Sequence, residues 1–192
     1  MISKAKKPIF YTGGGVINAG EKASEILREL VSATGFPITS TLQGLGCYPG
    51  EDSQFLGMLG MHGTAYANFA ISECDLLVAI GARFDDRVTG KLDAFACAAT
   101  IIQIDIDPAE ISKNRCPQLS LIGDVSKTLI EVLKKVRKNK ELDTTQTKNW
   151  LKRIHKWKVL YPLVSTSYKK TNLSPQETIA FIGNEHKSAF FT

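Results

Sequence analysis

The chain has 192 residues, 43% of them hydrophobic, which supports one domain with a real core and an appendage, or two small domains. Its net charge of +5 is uneven: residues 1–126 are net −4 and residues 127–192 net +9, so the basic character belongs to the tail. Cys47, Cys74, Cys97 and Cys116 show no C-x-x-C spacing and have no histidine close in sequence, which argues against a zinc site and suits a reducing compartment. There is no signal-peptide run and no 18-residue apolar span, so a soluble intracellular protein is expected. Both ends of the sequence read as cuts in a longer chain.

Pro8 to Thr12 reads as a strand that runs directly into Gly13-Gly14-Gly15. Residues 21–34 have helical spacing, with Ala23, Ile26, Leu27, Leu30 and Val31 on one face, Gly35 as C-cap and Pro37 as the stop. A short strand, Ile38 to Thr41, leads to Leu42 and Gln43. A loop containing Pro49, Gly50 and Gly57 then reaches Gly60-Met61-His62-Gly63-Thr64, and Thr64 caps a helix to about Ser72.

Leu76-Leu77-Val78-Ala79-Ile80 is an unbroken apolar run, the mark of a strand buried on both faces. Gly81 ends it, and Arg83, Asp85, Asp86 and Arg87 follow at once. Ile101 to Ile104 is a fourth strand, ending in Asp105-Ile106-Asp107. Leu119 to Ile122 is a fifth, ending in Gly123-Asp124. Asp124 caps a helix over residues 125–138 with Val125, Leu129, Val132, Leu133 and Val136 on its apolar face.

Strands alternating with helices predict an α/β fold in three layers, a Rossmann-like parallel sheet with helices on both faces. The glycines, threonine, arginines and aspartates noted above then share the carboxyl edge of the sheet, where such folds bind ligands. Gly13–Gly15 and Gly60–Thr64 would offer backbone N–H groups to phosphate. Asp105, Asp107 and Asp124 are acceptors for ribose hydroxyls or an adenine amine, and Arg83 and Arg87 neutralise phosphate or carboxylate. Together they suggest an extended dinucleotide. The usual dinucleotide fingerprint is incomplete, because Asn18 stands at its third glycine and no acidic residue ends the second strand, which disfavours an NAD dehydrogenase. No catalytic set and no metal-ligand set emerges, with His62 a lone histidine. A stand-alone module binding ADP or a dinucleotide is therefore the alternative reading.

Three stretches carry a resemblance: Gly60-Met61-His62-Gly63-Thr64, the run from Gly81 through Arg83, Phe84, Asp85, Asp86 and Arg87 to Lys91, and Asp105-Ile106-Asp107-Pro108-Ala109-Glu110-Ile111. In them the sequence closely resembles the acetohydroxyacid synthase (acetolactate synthase) family, over essentially the whole chain but only the middle of such an enzyme. The resemblance implies a thiamine-enzyme central domain over residues 1–143, holding FAD in a structural, non-redox role. Residues 144–192 would be a basic helical connector toward an absent domain.

By position, Gly13, Gly14 and Gly15 would meet the pyrophosphate and ribityl region of FAD. Thr41, Leu42, Leu59, Gly60, Met61 and His62 would follow the ribityl and flavin parts, with Gly81, Arg83, Asp85, Arg87 and Val88 continuing that wall. Asp105, Ile106, Asp124 and Val125 would hold the adenosine end, and Met61, Asp86 and Arg87 would line the substrate channel. The family condenses 2-oxo acids, pyruvate with pyruvate or 2-oxobutyrate, in branched-chain amino-acid biosynthesis. It uses thiamine diphosphate and Mg²⁺ held by other domains, so this chain alone is expected to be inactive. The resemblance also implies a homo-oligomer with a regulatory subunit, in a bacterial cytoplasm or a plastid, without nucleic-acid or membrane partners.

In the tail, Trp150, Ile154, Trp157 and Tyr161 recur at helical spacing among Lys152, Arg153, Lys156 and Lys158. The expectation is an amphipathic helix packed on a neighbouring domain, with an anionic-surface helix as the sharper alternative. Ser174-Pro175-Gln176-Glu177 opens a last short helix.

Overall fold

Strands Pro8–Thr12 (β1) and Leu76–Ile80 (β4) are buried at every position, as central parallel strands covered on both faces require. They pair with each other, and the sheet grows outward from them in both directions. On one side lie Ile38–Ser40 (β2) and Phe55–Met58 (β3), and on the other Thr100–Asp105 (β5) and Leu119–Ile122 (β6). All six strands are parallel, in the order β3-β2-β1-β4-β5-β6. This computed structural model describes residues 1–139, 144–163 and 174–186.

The pleat sends alternate side chains to two cores. Phe10, Ile38, Val78, Ile80 and Ile102 face the helices Glu21–Thr34 (α2) and Val125–Lys138 (α5). Ile9, Tyr11, Leu77, Ala79 and Ile101 face the helices Ala65–Glu73 (α3) and Thr144–Leu160 (α6). The three-layer α/β architecture read from the sequence is the one observed.

Local signals act where expected. Gly35 takes a left-handed φ of 68° and donates its N–H to Val31 O, closing α2. Thr64 Oγ1 accepts from Ala67 N at 3.1 Å and so caps α3, while Asp124 Oδ1 accepts from Lys127 N at 3.0 Å and caps α5. Ser174 and Glu177 form a reciprocal capping box at the start of helix Pro175–Glu185 (α7).

Three features differ from the sequence reading. β3 lies within a stretch read as loop: only Leu56 is fully buried, Gly57 sits at φ 72°, and its pairing with β2 shifts register. A one-turn helix, Gly14–Asn18 (α1), follows the glycine turn, and another, Asp86–Thr89 (α4), follows Asp85. The third concerns α6, whose apolar face packs on this same sheet. Trp150 and Ile154 are 3% and 1% exposed within the second core, and the Trp150 indole N–H donates to Pro8 O at 3.0 Å. Arg153 pairs with Glu73 of α3, and Lys158 Nζ donates to the carbonyls of Ser53 and Phe55. The boundary expected at 143/144 falls beside residues 140–143, outside the described residues.

Candidate functional site

Strand order reverses between β1 and β4. The connection from β1 turns toward β2 and β3, whereas β4 leads on to β5 and β6. The loops leaving such a pair part company and open a crevice at the carboxyl edge. Here the crevice is a cleft of about 810 Å³. Its walls are the ends of β1 and β2 (Tyr11, Gly13, Gly14, Thr41, Leu42, Gln43), of β3 (Met58, Leu59, Met61, His62) and of β4 (Gly81, Ala82, Arg83, Asp85 to Val88).

Backbone packing sets the floor. Gly13 N donates to Ile80 O at 3.0 Å and Gly15 N to Gly81 O at 3.1 Å. A Cβ on Gly13 would stand 2.2 Å from Gly81 O, and one on Gly15 2.6 Å from Gly81 Cα. Two of the three glycines therefore serve the contact between the β1 and β4 loops. Gly14 lies between them on the cleft wall.

The remaining loops are tied to this floor. Asn68 of α3 accepts from Gly60 N at 2.9 Å and donates to Gly60 O at 3.0 Å, while Met61 N donates to Arg87 O at 3.4 Å. Gly60 is at φ 91°, with Arg87 O 2.9 Å from where a Cβ would stand. Asn114 donates from its amide to both Arg83 O and Phe84 O, at 3.2 and 3.1 Å. Phe84 itself holds a left-handed φ of 55°, with its ring buried against Tyr11 and Phe95. That conformation is strained for a residue with a Cβ and turns Arg83 and Asp85 outward.

Charge gathers on the β4 wall. Arg83 Nη2 lies 3.4 Å from Asp85 Oδ2, both side chains remaining exposed to solvent. Asp85 Oδ1 accepts from the Arg87 amide at 3.2 Å, and Asp86 Oδ1 accepts from it at 2.9 Å. That amide, then a hydrogen bond shared with the Asp86 carboxyl, holds the Asp85 carboxyl below its ordinary value. Arg87 makes no ion pair among the described residues. Two large apolar side chains stand open in the same cleft, Leu42 at 66% and Met61 at 79% exposure.

Most residues singled out in the sequence meet here: Gly13, Gly14, Thr41, Leu42, Leu59, Met61, His62, Gly81, Arg83, Asp85, Asp86, Arg87 and Val88. Gly15 and Gly60 are packing residues beneath and beside the cleft. Asp105, Ile106, Asp124 and Val125 lie off it, at the ends of β5 and β6. The Asp105 carboxylate accepts from Asp107 N, Ile106 is exposed, Asp124 caps α5, and the Val125 side chain is in the core. Sequence reasoning missed Tyr11 in the floor and the two asparagine straps, Asn68 and Asn114. Among the described residues no group of three or more side chains is placed to hold a metal ion, and no helix is long and apolar enough to cross a membrane.

A parallel sheet in this order, with a glycine-floored, charge-walled cleft at its switch point, is an α/β domain of the doubly wound class, and the cleft stands where such sheets take their ligands. Residues 1–132 match the family model for the thiamine pyrophosphate enzyme central domain, and the chain belongs to that family. Across its whole length the chain is 52% identical to the acetolactate synthase large subunit of Cyanidium caldarium, of which it covers 32%. It is 53% identical over 140 residues to the chloroplastic acetolactate synthase of Arabidopsis thaliana, covering 73% of this chain and 20% of that one. Against the acetolactate synthase of Mycobacterium bovis it is 43% identical over 183 residues, 95% of this chain and 29% of the relative. The chain thus spans about a third or less of the length of these relatives.

Proposed function

We propose that this chain is the central domain of an acetolactate synthase large subunit, that its switch-point cleft binds FAD in a structural, non-redox role, and that Met61, Asp86 and Arg87 line the channel through which 2-oxo acids pass. The observation that carries this reading is the convergence of four strand-end loops on one cleft that combines backbone glycine turns, two arginines and exposed apolar side chains.

The residues suit that group. The Gly13–Gly14 turn lets a pyrophosphate approach the backbone, and Arg83 lies close enough in sequence and space to Asp85 to offer a cation without losing its orientation. Leu42 and Met61 supply apolar surface for a flat ring. Asp105 and Asp124, one and two strands further along the same edge, extend the reach toward an adenosine end. When bound, FAD would act as a fixed wall of the channel. Arg87, which lines the cleft and makes no ion pair among the described residues, would attract the carboxylate of an incoming 2-oxo acid.

Thiamine diphosphate and Mg²⁺ belong, on this reading, to other parts of the parent enzyme. The parent would assemble as a homo-oligomer with a regulatory subunit, in a bacterial cytoplasm or a plastid. Arg83→Ala tests the assignment, since loss of a charge-assisted contact should weaken FAD binding about tenfold. An unchanged FAD affinity in that variant would remove Arg83 from the site.

A further inference from the structure

Tyr11 is the one tyrosine, phenylalanine or tryptophan among the described residues that line the cleft, and its hydroxyl is left without a hydrogen-bond partner there. The side chain is 0% exposed, and among the described residues its Oη has no hydrogen-bond partner. A buried hydroxyl left without a partner costs on the order of 1–3 kcal/mol, so a phenylalanine would serve the fold at least as well. The ring needs no hydroxyl for its packing, which is against Phe84 at 5.6 Å and Phe95 at 6.3 Å between centroids. In its row of the sheet Tyr11 is in register with Thr39, whose hydroxyl donates to Gly57 O, and on the other side with Ala79 and then Gln103, whose side-chain oxygen is likewise without a partner. The structure records no bond from the phenol to either polar side chain among the described residues.

The position of the hydroxyl is informative. Tyr11 precedes the Gly13 turn by two residues and lies under the strained Gly81–Arg87 loop. Burial first, and the Asp85 carboxylate second, push its ionisation upward, with Arg83 acting the other way. The phenol therefore stays neutral and sits within the field of both cleft-wall charges. A neutral O–H at that place can donate to an oxygen that Arg83 also attracts.

We propose that Tyr11 is a ligand-contacting residue: its hydroxyl donates to an acceptor oxygen of the bound dinucleotide, at the switch point between the β1 and β4 loops. This rests on the dinucleotide reading of the cleft. The Phe84 ring, fixed by the Asn114 strap on the carbonyls on either side of its backbone, holds the phenol in place for that contact.

Titration of the full chain and its Tyr11→Phe variant with FAD, and in parallel with ADP, tests the proposal by flavin fluorescence and calorimetry. Thermal unfolding of both proteins without ligand is measured alongside. The expected result is FAD binding about five- to tenfold weaker in the variant, with ligand-free stability equal to or above that of the parent chain. An equal loss for ADP would place the acceptor on the pyrophosphate, and a loss for FAD alone would place it on the ribityl–flavin half. Unchanged FAD affinity in the variant, with binding intact in the parent chain, would overturn the role of Tyr11 and leave the cleft assignment standing. A variant less stable without ligand yet equal in affinity would show that the hydroxyl serves the fold. Failure of the parent chain to bind either ligand would overturn both.

Discussion

Gly13 and Gly81 meet backbone to backbone, and a single methyl group decides whether they can. A Cβ on Gly13 would stand 2.2 Å from Gly81 O and 2.8 Å from Ala82 Cα, neither of which is a flexible side-chain end. Gly13→Ala should therefore cost at least about 2 kcal/mol in urea denaturation, through forced separation of the two loops. Gly50→Ala is the control, because a Cβ there meets nothing within 4 Å. Equal stability of the two variants would contradict the packing described. Asp124 permits a pH test. The Ser126 hydroxyl first, and the Lys127 amide second, hold its carboxyl below the ordinary value of 3.8. Its contribution is then complete above the unfolded value and is lost as pH falls through the folded one. Asp124→Asn keeps an acceptor oxygen but cannot ionise. The stability gap between parent and variant should shrink as pH falls from about 5 to below the unfolded value. A gap that stays constant over that range would remove the cap as its source.

The helix α6 behaves as part of the domain it follows. Its Trp150 is buried against the β1 and α3 side of the sheet, and the indole N–H closes the Pro8 carbonyl. Trp150→Ala should destabilise the chain by about 3–5 kcal/mol, whereas Lys152→Ala on the exposed face should change little. A small effect of the tryptophan change in chemical denaturation would mean that α6 is only loosely attached. The tail's helical period was legible from Trp150, Ile154 and Trp157, but which surface they meet was not, because periodicity defines a face and not its partner. β1 and β4 were legible for a related reason: runs buried on both sides leave nearly unbroken apolar stretches, whereas β6 is a largely exposed edge strand that was marked by its short apolar run before Gly123. β3 was not, since Gly57 at a left-handed φ and the shifted register leave no period of two. Most of the cleft could be read from glycines and charges placed just after strands. Its supports could not, because Asn68 and Asn114 act on backbone groups, those of Asn114 some thirty residues distant.

At the level of the whole molecule, the chain carries a cleft at the switch point of its sheet and a basic helix, α6, and it spans about a third or less of its relatives. The proposed division of labour follows: this domain holds FAD and shapes the channel, while thiamine chemistry is supplied elsewhere. Purified alone with pyruvate, thiamine diphosphate and Mg²⁺, the chain should form no acetolactate, and detectable product in a colorimetric assay would contradict that division. The most direct test of the central claim is isothermal titration of the chain with FAD, ADP and NAD in parallel. Saturable FAD binding, clearly tighter than that of NAD, is the predicted result. NAD binding as tight as FAD, or no FAD binding at all, would contradict the assignment of the cleft.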